Sequence, residues 1–235
     1  MDAYQLHPIG YIRSPYKQKF AIPRQPRLVP DAKARLEFCQ EFCRPDFVRG
    51  IEDFSHLWLL FRFHETADKG YSALVRPPRL GGNERKGVFA TRATFRPNGI
   101  GMSAVKLEGV EYKQGKLALL LSGIDLLDGT PILDIKPYLP YSDSLPDASA
   151  GFADTRPETE MTVSFSEQAE QQLHALPQYE QMKNFISQVL KQDPRPAYKA
   201  QKEASQSYGM SLDDFNIKWT VDGLHNHVTE IKQQK

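Results

Sequence analysis

Side chains able to do chemistry gather in a few short stretches of this chain. GVFATRATFRPNGIG (87–101) carries Arg92 and Arg96 four apart, followed by Pro97-Asn98-Gly99. Two guanidinium groups at that spacing can offer forked donors to an anion, and a Pro-Asn-Gly turn lets backbone approach a ligand closely. A structural turn would account for Asn98-Gly99 but not for both arginines. LDIKPYLPY (133–141) sets Asp134 four residues before Tyr138, whose backbone is fixed by Pro137. A tyrosine held this way offers a flat face and a hydroxyl, as stacking on a nucleobase requires; a proline-rich linker with an aromatic anchor fits the same spacing equally well. FHE (63–65) ends an apolar run with His64 beside Glu65. Neighbours on a strand point to opposite faces, so the pair is not expected to exchange a proton, although either residue can hydrogen-bond a ligand.

Several other chemistries are excluded by context. GIGMSA (99–104) matches the dinucleotide fingerprint formally, but FRPN precedes it where a buried strand is required and SAVKLEGVEY reads as a strand where a helix is required. His64 has no second histidine at metal spacing, so no metal site is expected. No nucleophile elbow supports a hydrolase built on His64. Cys39 and Cys43 are the sole cysteines; they read as reduced structural thiols, since the iron–sulfur motif that their spacing begins needs a third.

The elements that must position these residues are mostly strands. HPIGYIRS, HLWLLFRFH (56–64), GVFATRA, MSAVKLEGVEY and KLALLLSGIDLLDG follow one another, the last ending in an Asp128-Gly129 turn. One helix is expected over PDAKARLEFCQEF, with Leu36, Phe38, Cys39 and Phe42 on its buried side. A stretch crowded with Pro, Asp, Ser and Gly then marks a domain boundary near residues 145–160. Beyond it, SEQAEQQLHALPQYEQMKNFISQVLKQ shows two helical patterns broken at Pro177, and FNIKWTVDGLHNHVTEI reads as a hairpin about Asp222-Gly223. The expectation is a mainly β domain over 1–148 and a smaller α+β domain over 158–235.

A chain of 235 residues, 40% of them apolar, can bury one good core and allows a second, smaller one. No window reaches the roughly 18 to 20 uninterrupted apolar residues of a membrane span, and MDAYQLHPIG lacks the flank and core of a signal peptide; no membrane association and a cytoplasmic location are expected. The net charge of +1 hides a sorting: residues 1–100 hold 17 Lys and Arg against 10 Asp and Glu, and the remainder holds 13 against 19. Arg13, Lys17, Lys19, Arg24, Arg27, Arg79, Arg85, Lys86, Arg92 and Arg96 form a candidate electropositive face for a polyanion. A solvated surface with a chance imbalance fits the same counts.

PRQPRL (23–28), GIEDFSHLWLLFRFHE (50–65), RKGVFATRATFRPNGIGMSAVKL (85–107) and GTPILDIKPYLPYSD (129–143), taken in order, resemble the TrmO (YaeB, TsaA-like) family of S-adenosylmethionine-dependent tRNA methyltransferases. DPRPAY (193–198) and the closing hairpin are similar to the extra C-terminal domain of longer bacterial members. The resemblance implies a single-sheet β-barrel acting as a homodimer. It also implies transfer of a methyl group to N6 of the threonylcarbamoyl-modified adenosine beside the anticodon of threonine tRNA. Cofactor contacts carried over by motif fall on Pro23, Arg24, Gln25, His64, Glu65, Arg92, Met102, Ile132, Leu133 and Asp134. Asp134, Tyr138 and Asn98 become the candidate catalytic residues. Where the family commonly reads P-N-P-I-G, this chain has Gly99 for the second proline, which loosens the turn around Asn98. A non-catalytic RNA-binding barrel is the alternative from a different class, with the basic half and the tyrosines as a stacking platform.

Overall fold

A computed structural model describes residues 4–81, 83–155, 160–195 and 205–234. Six antiparallel strands close into a barrel: β1 (Gly10–Arg13), β2 (Lys33–Phe38), β3 (His56–Arg62), β6 (Ile100–Lys113), β7 (Lys116–Ser122) and β8 (Pro131–Pro137). Their order around the barrel is β1-β2-β7-β6-β3-β8, and Gly10 and Tyr11 seal it against Ile132 and Pro131. Along β3, Leu57, Leu59 and Phe61 are buried inside, whereas His56, Trp58, Leu60 and Arg62 face outward, the alternation expected of a strand that separates a core from a surface. A short ribbon, β4 (Leu74–Val75) with β5 (Lys86–Gly87), lies within the long β3–β6 connection.

Two expectations fail here for identifiable reasons. KARLEF forms strand β2, followed by a 3-10 turn at Gln40–Phe42, rather than a helix. Its burial alternates strictly at Lys33, Ala34, Arg35 and Leu36, a period of two that competes with the helical reading of the same apolar residues. Cys39 and Cys43 therefore lie beyond the strand, where each thiol meets a backbone carbonyl, of Pro8 and Gly115 respectively. GVFATRA is likewise no strand beyond Gly87: Val88–Ala90 is a 3-10 turn that opens a loop. The Thr91 amide closes that turn on the Val88 carbonyl at 3.2 Å, and Arg96 Nη1 donates to the carbonyls of Val88 (3.2 Å) and Thr91 (2.7 Å).

After the short helix α1 (Pro140–Asp143), the second part is a sheet of order β10-β11-β12-β9: β9 (Thr162–Phe165), β10 (Gln206–Leu212), β11 (Phe215–Asp222) and β12 (His225–Gln233). Helices α2 (Glu167–His174) and α3 (Tyr179–Lys191) break around Pro177 as expected. Ser166 caps α2 by accepting a hydrogen bond from the Ala169 amide at 3.1 Å. Gly223 takes a positive φ in the tight β11–β12 hairpin. The last three residues of DPRPAY lie outside the described residues.

The two parts share one apolar core. Phe20, on the barrel side, packs against Trp219 (6.0 Å between centroids) and Tyr208 (6.2 Å), and Tyr16 against Phe185 (6.1 Å). Asp31 and Gln188 exchange two hydrogen bonds across the junction, at 3.1 and 2.6 Å. Among the described residues no helix is long and apolar enough to cross a membrane.

Candidate active site

An open cavity of about 700 Å³ is lined by the ends of β3 and β6, with side chains of both strand faces, and by the loops before β2 and after β7. Seven of the residues expected to touch the cofactor come together in its lining: Pro23, Arg24, Gln25, His64, Glu65, Arg92 and Met102. They reach it from four segments far apart in the chain. Arg92 donates from Nη1 to Gln25 Oε1 at 2.6 Å, tying the loop after Ala21 to the loop after Ala90. Lys19 pairs with Glu65 at 3.4 Å at the rim.

His64 and Glu65 do not occupy adjacent strand positions. Strand β3 ends at Arg62, and the next residues turn back on themselves, with the Thr66 and Ala67 amides donating to the Phe63 carbonyl at 3.2 and 3.0 Å. The turn brings both side chains to one cavity, so the rule that strand neighbours diverge does not apply to them. Arg96 also reaches the cavity lining, but its guanidinium is engaged with two carbonyls, which leaves Arg92 as the ligand-facing member of the arginine pair.

Glycine is required twice in NGIG. The Gly99 amide donates to the Arg96 carbonyl at 3.0 Å and φ is +59°, so the turn predicted at 97–99 is present. Proline has no amide hydrogen and is fixed near φ −65°, so this backbone could not be kept with proline at position 99. At Gly101 a Cβ would sit 2.4 Å from the Phe61 ring and 2.8 Å from Phe63 Cζ. These rings meet edge to face, 5.1 Å apart, beneath the cavity. Gly101→Ala is therefore expected to lower stability by about 1 to 2 kcal/mol through overpacking, read as the urea midpoint at constant slope. An unchanged midpoint would show that the rings yield freely.

The remaining expected residues lie elsewhere. Asn98 is exposed on the turn and does not line the cavity. The Ile132 side chain is fully buried inside the barrel, so only its backbone could meet a ligand. Leu60 faces Asp134, and Phe61 faces Ile132, leaving Leu133 as the extra residue of a bulge. Met102, Leu60 and Asp134 stand in register across three strands, so Asp134 continues the cavity rim one strand further out. Its carboxylate pairs with Lys136 at 3.0 Å and accepts from the Ile135 amide at 2.9 Å. Tyr138 is four residues further along, about 13 Å at strand spacing. Its ring packs against Trp58 (5.5 Å) and His56 (6.4 Å) on the same outer face. The Trp58 indole donates to Asp143 at 2.8 Å, which fixes this platform from α1. Burial first, then Arg27 and Lys106, lower the His56 pKa and favour its neutral form.

Asp125 was not anticipated. It lines the cavity and accepts from the Ser103 hydroxyl at 2.7 Å. Burial pushes its carboxyl up to about 6, against the Ser103 hydroxyl, its own backbone amide and the Arg92 charge, each of which favours the anion. The one sequence signal was a carboxylate inside the apolar run LALLLSGIDLL, a placement that costs free energy unless the charge is used.

A closed antiparallel barrel bearing a cavity with a half-buried carboxylate and an arginine at its lip belongs to a β-barrel class distinct from the doubly wound nucleotide-binding folds. Family models agree in detail: the tRNA-methyltransferase O N-terminal domain matches residues 11–144 and the TrmO C-terminal domain matches 158–234. The chain belongs to the TrmO family. It is 54% identical over 222 residues, 94% of each chain, to the tRNA (adenine(37)-N6)-methyltransferase of Escherichia coli K12. It is 51% identical over 218 residues, 92% of each, to a protein of Pseudomonas aeruginosa described as a putative S-adenosylmethionine-dependent methyltransferase, RcsF. The crystal structure of TrmO from P. aeruginosa superposes with a TM-score of 0.80 at 42% identity, covering 99% of this chain and 98% of that one.

Proposed function

We propose that this chain methylates N6 of adenosine 37 in tRNA with S-adenosylmethionine, and that the base it acts on carries the threonylcarbamoyl group, in threonine tRNA. The observation that carries the reading is the cavity in which Arg92, His64, Glu65, Met102 and Asp125 converge. The residues present fit this cofactor. Asp125, whose side chain has Ser103 as its hydrogen-bond partner among the described residues, is the counter-charge that a sulfonium calls for. Arg92 at the lip suits the cofactor's carboxylate, and Leu60, Met102 and Ile22 supply apolar surface for its adenine. When bound, S-adenosylmethionine supplies a methyl group on an electrophilic sulfur.

The chain's own contribution is position and charge. The exocyclic amine of adenosine is a poor nucleophile, because its lone pair is delocalised into the ring, so alignment and hydrogen bonds to the amine carry the rate. The strip from Asp134 to Tyr138 extends outward from the cavity rim, and there the Tyr138 ring, backed by Trp58, offers a face to the target base. One proton leaves the amine for each methyl gained; the Asp134 carboxylate is the group on this strip able to accept it, the Tyr138 hydroxyl could position or relay it, and Asn98 would hold the base from the neighbouring turn. Domains over 1–148 and 158–235, a homodimer and a cytoplasmic setting complete the proposal; sedimentation checks the dimer.

An RNA-binding barrel without catalysis would need no cofactor cavity. S-adenosylmethionine alone, at a hundred times its dissociation constant and without RNA, is therefore expected to stabilise the protein by about 2.7 kcal/mol. A melting temperature unmoved by the cofactor, with tRNA still bound, would favour the non-catalytic reading.

A further inference from the structure

A second cleft, of about 1050 Å³, opens beside the cofactor cavity and shares Arg24, Gln25, Pro78, Thr91 and Arg92 with it. Five arginines line it, Arg24, Arg27, Arg76, Arg79 and Arg92, drawn from three separate stretches, together with Phe89. The structure sorts the positive charge of the N-terminal half sharply. Arg13, Lys17, Lys19 and Lys86 are spent on Glu37, Asp128, Glu65 and Glu84 at 2.5 to 3.4 Å. Arg96 is spent on carbonyls. None of the five cleft arginines has a carboxylate within ion-pair distance among the described residues; those that do pair carboxylates are Arg13, Arg35, Arg49 and Arg195. Arg79 donates to the carbonyl and hydroxyl of Thr155 instead, which folds the segment after the barrel along one wall of the cleft.

Two further features mark the cleft as built for a ligand. Arg27 is held at φ +66°, in the left-handed region, by its amide's 2.8 Å hydrogen bond to the Gly123 carbonyl. Non-glycine residues seldom keep that conformation unless surrounding structure enforces it, and such residues concentrate at ligand clamps. Phe89 is 78% exposed, although Val88 before it is buried and anchors the turn. A large aromatic ring presented to water, with Arg96 5.9 Å from its centroid and beside arginines that have no carboxylate partner among the described residues, is the pairing of groups that binds single-stranded nucleic acid, with stacking on the ring and phosphates on the cations.

We infer that this cleft seats the RNA strand next to the target base, with Arg27 and Arg76 on backbone phosphates and Phe89 stacked on a neighbouring unpaired base. The inference rests on the tRNA reading above and adds the path by which the strand reaches the cofactor. Sharing Arg24 and Arg92 between cleft and cavity places the strand's charge beside the donor, so that one bound loop can present its base to the Asp134–Tyr138 strip.

The test uses the full-length chain, a labelled anticodon stem–loop RNA and S-adenosylmethionine. Arg27→Gly removes the charge at a position whose backbone glycine accepts without strain, and it is combined with Arg76→Gln. The double variant is expected to reduce the slope of log K against log salt by about 1.4 to 1.8, since each phosphate contact contributes about 0.7 to 0.9. Phe89→Ala is expected to weaken RNA binding by about fivefold to a hundredfold with the slope unchanged. Affinity for S-adenosylmethionine should stay the same in both. An unchanged slope in the double variant, or RNA binding insensitive to Phe89→Ala, overturns the inference; so does a loss of cofactor affinity that parallels the loss of RNA. If the wild-type protein methylates tRNA while these variants bind RNA normally, the cleft assignment fails and the methyltransferase reading stands. If the variants lose RNA as expected but the wild-type protein transfers no methyl group, the reverse holds.

Discussion

Replacing Asp125 by Asn should stabilise the protein and weaken its cofactor at the same time. The folded-state carboxyl titrates near 6, above its ordinary 3.8, so the folded chain binds the proton more tightly than the unfolded one. The sign follows: below the ordinary value both states are protonated and there is no cost. The cost grows as pH rises through the window between the two values and is fully present above about 6, where it amounts to about 2 to 3 kcal/mol at 1.36 kcal/mol per unit. Asn keeps an acceptor for the Ser103 hydroxyl and removes the charge. The variant is thus expected to melt several degrees higher at pH 8 and at the same temperature as the wild type near pH 3.5. Binding of S-adenosylmethionine should fall about ten- to a hundredfold, the worth of a charge-assisted contact. S-adenosylhomocysteine, which has a neutral sulfur, should bind both proteins alike. Equal losses for the two ligands would move Asp125 away from the sulfonium, onto the ribose or the base.

Tyr138 carries the second large effect. Its ring already rests on Trp58 and His56, so the substrate would meet a face that is fixed in advance. Tyr138→Ala is expected to lower kcat/KM about ten- to a hundredfold, from a stacking contribution of roughly 1 to 3 kcal/mol, while Tyr138→Phe keeps most of it. Cofactor affinity should change in neither, because Tyr138 lies outside the cavity lining. If Phe proves as damaging as Ala in a folded protein, the hydroxyl matters more than the ring, and its role becomes positioning the amine or relaying its proton. If both variants lose the cofactor, the strip belongs to the cofactor site instead.

What could be read in the sequence was whatever short spacing encodes. The strands around HLWLLFRFH and LALLLS, the helix break at Pro177 and the Asp222-Gly223 hairpin each declare themselves through periodicity or turn chemistry within a dozen residues. The same reasoning failed at KARLEF, where Ala34, Leu36 and Phe38 suit a helical stripe and a strand face alike and only pairing with β1 and β7 decides between them. Motif resemblance brought seven residues to one cavity that no local pattern would have joined. It could not show that Arg96 is occupied by carbonyls, because the loop that occupies it has no periodicity. Asp125 escaped for a related reason: it lies in the loop after β7, its partner Ser103 lies 22 residues earlier on β6, and only the closed barrel sets the two side by side.

The central claim is the reaction itself, and nucleoside mass spectrometry tests it most directly. The purified protein is incubated with isotopically methyl-labelled S-adenosylmethionine and threonine tRNA carrying threonylcarbamoyladenosine, and the digested tRNA is then resolved by nucleoside and by position. The expected result is one labelled methyl per tRNA, on N6 of the modified adenosine at position 37, with the unlabelled modification consumed in equal measure. Label on any other nucleoside, or none at all from a protein that binds both cofactor and tRNA, would contradict it.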